Sequence, residues 1–195
     1  MAARDTGAEQ LIKDTAKHIF FAEGKLHAGT QDIADAAGVS RTLLNYYFRS
    51  KDILIDKVFQ EAIQGLTHRL DVVMDSDLPF NKKIENFIDV FLTETTAFPY
   101  QETFLITEIN CHTCKLSFEN NSKKIEKFLL QIKAEMDAGR IEPMNPIHFM
   151  MNLFSLMAYP LVMGPLYKKI FDLSIESFNA LILERKMMIC KLILR

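Results

Sequence analysis

The 195-residue chain has no tryptophan, only seven glycines and three cysteines, and a net charge of just −2 at pH 7. Each scarcity excludes something. So few glycines leave little room for a backbone cradle around phosphate, and neither a G-x-S-x-G nor an H-E-x-x-H motif occurs, so an enzyme is not expected. An odd, small number of cysteines does not build a disulfide framework and fits a reducing compartment, hence a cytoplasmic protein. The opening segment MAARDTGAEQ lacks the apolar stretch of a secretory leader. No β-rich alternating run, internal repeat or low-complexity segment is present. The near-neutral balance excludes nucleic-acid binding by bulk charge, although a local strip could still serve. At 49% hydrophobic and 25% charged residues the chain is a folding one rather than a disordered one.

What is present is apolar spacing of helical period, almost from end to end. Nothing before Leu11 is periodic. Leu11, Ile12, Thr15, Ala16, Ile19 and Phe20 then predict a first helix ending near Gly24. Ser50 reads as an N-cap for a long helix carrying Ile53, Leu54, Val58, Ala62 and Leu66 to about Met74, with Asp52 opposing the macrodipole. Asp75 to Pro79 is a turn. Phe80 to Ala97, Tyr100 to about Asn110, Lys123 to Gly139, Ile147 to about Met163 and Ser174 to Leu194 complete an all-α chain. The expected organisation is an N-terminal three-helix domain, residues 1–52, followed by a helical domain, residues 53–195, joined by a connecting helix over about 53–74.

Thr30 to Arg49, TQDIADAAGVSRTLLNYYFR, carries the most specific pattern. Ile33, Ala34 and Ala37 form one face of a first short helix. Gly38 stands where a chain leaving a helix needs positive φ. Val39 fills the corner and Ser40 can cap the next helix. Leu44, Tyr47 and Phe48 recur at helical spacing, whereas Arg41, Thr42, Asn45, Tyr46 and Arg49 lie opposite. This is a helix-turn-helix, a corner that also occurs in proteins that never touch DNA. Residues 1–58 balance eight basic against eight acidic side chains, but no acid lies between Asp35 and Asp52, where Arg41, Arg49 and Lys51 fall.

On the segments IFFAEGKLHAG, TQDIADAAGVS and YYFRSKDIL the chain resembles the TetR-type transcriptional regulators over its first fifty-odd residues. The resemblance implies an N-terminal DNA-binding domain with a helix-turn-helix and a C-terminal helical domain for ligand binding and dimerisation. It departs at Asn45, where such proteins often carry tyrosine, and at Thr42, where a small residue is common. The implied partners are a palindromic double-stranded operator, a second copy of the chain and a small, largely apolar effector that releases a repressor. The chemistry of the side chains then proposes roles. Arg41 can make a bidentate contact to guanine, Asn45 can read adenine, and Thr42 can touch a thymine methyl. Tyr46, Tyr47 and Lys51, with Thr30 and Gln31, suit phosphate contacts that fix position.

The last two helices are apolar on more than one face: Phe149, Met150, Leu153, Phe154, Leu156 and Met157 on one, Phe178, Leu181, Ile182, Met188, Ile189 and Leu192 on the other. Burial between two subunits is the economical expectation. Pro146 to Tyr167 has no charged residue, yet polar residues interrupt it and Pro160, Gly164 and Pro165 break its last third, so no membrane span is expected. Phe87, Phe91, Phe104, Phe128, Phe149 and Met150, with His112 or Asn152, could line an effector cavity or simply form core. No cofactor or metal is expected. Cys111-His112-Thr113-Cys114 is a C-x-x-C without a βαβ context or further zinc ligands, so plain thiols are expected. Redox sensing through Cys111 and Cys114, and a helical protein-interaction module that does not bind DNA, remain the alternatives.

Overall fold

The computed structural model describes residues 6–111 and 122–194. Among them are ten α-helices and no strand: α1 (Thr6–Lys17), α2 (Thr30–Ala36), α3 (Arg41–Phe48), α4 (Lys51–Asp75), α5 (Phe80–Ala97), α6 (Gln101–Asn110), α7 (Ser122–Asp137), α8 (Pro146–Val162), α9 (Gly164–Ile170) and α10 (Ile175–Ile193). They divide into two compact units. Of the described residues, 6–65 and 98–111 make the first, and 66–97 and 122–194 the second.

The first unit is built on aromatic burial. Phe20, Phe48, Phe59 and Phe104 are fully buried, with Ile12, Ile33, Leu44 and Leu54 around them. α1 passes into a single π-helical turn, His18–Ala22, in which Glu23 N–H reaches back to His18 O at 3.1 Å. The wider turn steps through a smaller angle per residue, so three consecutive side chains, Ile19, Phe20 and Phe21, all face inward. Leu11 does not join them. It is 48% exposed, because Ile12 and Ala16 already occupy the face of α1 that meets the other helices.

α6 belongs to this unit, which periodicity alone does not show. Phe104 stacks on Phe20 with ring centroids 5.4 Å apart and tilts against Phe21 at 5.0 Å. Tyr100 N–H donates to Phe21 O at 2.8 Å. The Tyr100 ring lies over Gly24, whose φ is +70° and where a Cβ would come within 2.9 Å of the ring. Only glycine meets both conditions without strain.

The second unit gathers Ile84, Ile88 and Leu92 of α5, Ile132 of α7, Phe149, Leu153 and Met157 of α8 and Ile189 of α10 into one core. Phe80 contacts Phe128 and Phe149 at centroid distances of 5.8 and 6.0 Å. Lys83 is only 6% exposed, and its ammonium donates to Met74 O at 3.2 Å. A cation there answers a carbonyl left over at the C-terminal end of α4 and opposes the negative end of that helix. Lys124 to Asp71 and Lys186 to Asp89 tie further helices of the unit at 2.9 and 2.8 Å.

Two features differ from the sequence reading. Pro160 does not break its helix: α8 runs on to Val162. Proline has no N–H for the carbonyl four residues back, but Arg185 of α10 supplies two donors to Leu156 O, from Nε at 3.3 Å and Nη2 at 3.0 Å. Gly164 and Pro165 do not merely interrupt either; they start α9, with proline in the first turn where its missing N–H costs nothing. Among the described residues no single helix is long and apolar enough to cross a membrane, and α8 and α9, which would suffice together, bend by 60° at their junction.

Candidate nucleic-acid interface

The corner between α2 and α3 is set by three local devices. Gly38 has φ +66°, and the chain closes there with Val39 N–H to Ala34 O at 3.0 Å and Gly38 N–H to Asp35 O at 3.1 Å. These are the paired bonds of a helix terminated by a left-handed residue. Ser40 then caps α3, its Oγ accepting from Leu43 N–H at 3.1 Å. At the other end, Asp32 accepts from Gly29 N–H at 2.7 Å, which fixes where α2 begins. Ser50 caps α4 in the same manner, accepting from Ile53 N–H at 3.3 Å.

Burial separates the two faces of α3 cleanly. Leu44 and Phe48 are buried with Ile33 and Ala34 of α2 beneath them. Arg41, Thr42, Asn45 and Tyr46 are exposed, Tyr46 to 66%. Tyr47 is half-buried: its ring packs on the core and meets Tyr46 edge-on at 5.3 Å. Thr30 and Lys51 are half-buried at the first turns of α2 and α4, and Gln31 is exposed. Gln31 is not idle, since its amide donates to Asp35 at 2.7 Å. That bond also engages the last acid before the basic interval.

Arg49, which helical spacing places on the outward face, has a backbone that spacing could not foresee. It ends α3 with φ 58° and ψ −38°, a left-handed conformation that disfavours any residue with a Cβ. Its N–H donates to Asn45 O at 2.8 Å, and its side chain is exposed. The fold would accept glycine there more cheaply. The place of an arginine in YYFRSKD was readable, but its backbone strain was not.

Further down the unit, Glu61 of α4 is held by Lys13 and Lys17 of α1. Burial raises the Glu61 pKa, but the hydrogen bonds and charges of the two ammonium groups outweigh it and hold the carboxyl below its usual range. The first half of α4 is thereby fixed to α1, the helix that packs on α2 and α3.

The other candidates fare differently. His112 and Cys114 lie outside the described residues, and Cys111 is exposed. Cys190 is half-buried, and burial pushes its thiol pKa up. Among the described residues no group of His, Cys, Asp and Glu could hold a metal ion. The six apolar residues proposed for an effector cavity do not share one place. Phe104 is in the core of the first unit, whereas Phe87, Phe91, Phe128 and Phe149 are in that of the second. Asn152 is exposed, its amide near Met144 Sδ at 3.9 Å. The large concavity of about 590 Å³ lies instead along α8, α9 and α10, floored by Leu156, Pro160 and Ile182.

A compact all-α unit that buries one face of a helix-turn-helix and offers a polar, basic one is the architecture of a DNA-binding transcriptional regulator. Residues 12–58 match the family described as bacterial regulatory proteins, tetR family. YhgD of Bacillus subtilis, an HTH-type transcriptional regulator, is 24% identical over 144 residues, covering 71% of this chain and 74% of its own. A TetR family transcription regulator from Marinobacter aquaeolei superposes with a TM-score of 0.65 at 16% identity, over 100% of this chain and 99% of that one. PfmR, a TetR family transcriptional regulator from Thermus thermophilus, gives 0.64 at 16% identity, over 92% and 97%. Over residues 12–58 the chain is similar to the tetR family, and its fold is that of the TetR family regulators it superposes on.

Proposed function

We propose that the chain is a repressor that binds a palindromic operator as a homodimer and is released by a small, largely apolar effector. Residues 1–52 serve as the reading domain and 53–195 as the regulatory and dimerisation domain. The observation that carries the reading is the division of α3 into a buried face and an exposed one holding Arg41, Thr42, Asn45 and Tyr46. Arg41, Thr42 and Asn45 read base edges; Thr30, Gln31, Tyr46, Tyr47 and Lys51 hold phosphates. Arg49, in the acid-free interval, adds to the phosphate contacts.

Near-neutral charge makes each head a weak binder, so two are needed. A second copy is supported by the surface of α8 to α10. α10 buries Phe178, Ile182, Ile189 and Ile193 yet leaves Leu181, Met188 and Leu192 exposed on another face. An apolar stripe of that length is costly in water and fits a two-fold helix bundle. Two heads held this way can enter major grooves about 34 Å apart, or further on a longer site. The aromatic and thioether core of the second unit, including Phe87, Phe91 and Met157, is the adjustable surrounding an apolar effector needs.

Selection of bound sequences from random DNA tests the reading. A palindrome should emerge, with binding that falls steeply as salt rises. Arg41→Ala should relax preference at one base position, by about 1–3 kcal/mol of discrimination, whereas Lys51→Ala should weaken every sequence alike. Salt-independent or undetectable DNA binding would defeat the proposal.

A further inference from the structure

Leu156 is a residue whose carbonyl the chain itself leaves without a helical partner. Within α8 its oxygen should accept the N–H of residue 160, and residue 160 is proline. An unsatisfied carbonyl inside a packed helix pair is costly, and the structure does not leave it so. Arg185 lies across from it on α10 and directs Nε and Nη2 to that single oxygen, at 3.3 and 3.0 Å. Leu156, Pro160 and Arg185 all line the open groove of α8 to α10. The guanidinium thus gives two of its donors to the groove's own wall, while its charge stays on that face.

The same groove carries Glu184 beside Arg185 and is otherwise mostly apolar. One acid and one base in an apolar setting complement themselves when repeated about a two-fold axis, which favours a second copy of this chain as the occupant. Such a surface is matched only if α8 and α10 keep one relative placement. Leu181 and Met188 of α10 and Tyr159 of α8 stand exposed on either side of the arginine, and their spacing follows from that placement.

We propose that Arg185 is a positioning residue of the self-association face: by taking the carbonyl that Pro160 leaves unpaired, it locks α10 to α8 in the arrangement a second copy must meet. The proposal rests on the dimer reading above and adds to it a named pair, Pro160 with Arg185. It makes a demand that a merely packed arginine would not. If residue 160 regains an N–H, the carbonyl regains its helical partner and the arginine loses its task.

The test is a double-mutant cycle on the full chain, with the dimer dissociation constant read by sedimentation equilibrium. Arg185→Met should weaken self-association by about tenfold, as loss of a part-buried carbonyl's partner implies. In a Pro160→Ala background the same change should cost less than about threefold. Arg185→Lys, with one donor able to reach the oxygen, should fall between the two, and circular dichroism checks that each chain keeps its helices. If Arg185→Met cannot fold, the Lys variant carries the cycle. Equal losses in both backgrounds, or no loss in either, would overturn the latch while leaving the dimer standing. Leu181→Arg separates the two ideas: it should split the dimer. A chain that is monomeric throughout, or a dimer indifferent to Leu181→Arg, would overturn the latch together with the interface it serves.

Discussion

Replacing Arg49 by glycine should make the protein more stable and a poorer DNA binder at once. The residue sits at φ 58° and ψ −38°, closing α3 through its N–H to Asn45 O. A side chain with a Cβ in left-handed backbone costs roughly 1–2 kcal/mol. Glycine escapes that cost but brings a more flexible unfolded chain, worth roughly 0.5–1 kcal/mol in the other direction. The balance is a gain of about 0.5–1 kcal/mol, or a rise in melting temperature of about 1–4 °C for a chain of this size. Binding should move oppositely. Each phosphate contact contributes about −0.9 to the slope of log affinity against log salt, so losing one from each of two protomers should flatten the slope by about 1.8. Thermal melts by circular dichroism and fluorescence-anisotropy titrations at several salt concentrations read the two quantities separately. Arg49→Ala is the control: it loses the charge and keeps the strain, so binding should fall without the stability gain. A glycine variant that is less stable, or one whose salt slope equals the parent's, would refute the reasoning.

Gly24→Ala should destabilise the first unit by about 2 kcal/mol or more, since it combines positive φ with a Cβ 2.9 Å from the Tyr100 ring; urea denaturation checks this, and an unchanged midpoint would count against the packing described. Phe104→Ala, which removes a fully buried ring stacked on Phe20, should cost about 3–5 kcal/mol in the same assay. Glu61 gives a pH dependence with a definite sign. Its carboxyl pKa is lower folded than unfolded, so its contribution is present above the ordinary carboxylate range and is lost as pH falls through and below it. Stability measured from pH 7 down to pH 3 should therefore fall less steeply in Glu61→Gln than in the parent.

The helix-turn-helix was legible because its determinants are local. Gly38 and Ser40 act on backbone within four residues of themselves, and the alternation of Leu44 and Phe48 with Arg41 and Asn45 follows from helical period alone. Most helix boundaries were legible for the same reason, as Gly139 with φ +74° at the end of α7 shows. The partner of α6 was not. Nothing in the spacing of Gln101 to Asn110 says that Phe104 should reach Phe20 and Phe21, eighty residues earlier, rather than the helices nearer to it in sequence. The helix expected to about Met163 does run through Pro160, but what satisfies the carbonyl that proline leaves over, an arginine twenty-five residues later, was not readable. Leu11 shows the limit of periodicity on a helix with a narrow contact: membership of an apolar pattern does not decide which edge of it is covered.

The stacking of Phe104 on Phe20 and the seat of Tyr100 over Gly24 have a consequence for anyone who would recombine this regulator with another. The piece that folds around the helix-turn-helix is discontinuous along the gene, for it borrows a helix encoded after α5. A hybrid that exchanged residues 1–65 alone would import a foreign aromatic surface onto a resident α6 shaped for these side chains. Transplants that carry 98–111 along with the leading segment should retain solubility and specificity where simple front-end swaps lose both.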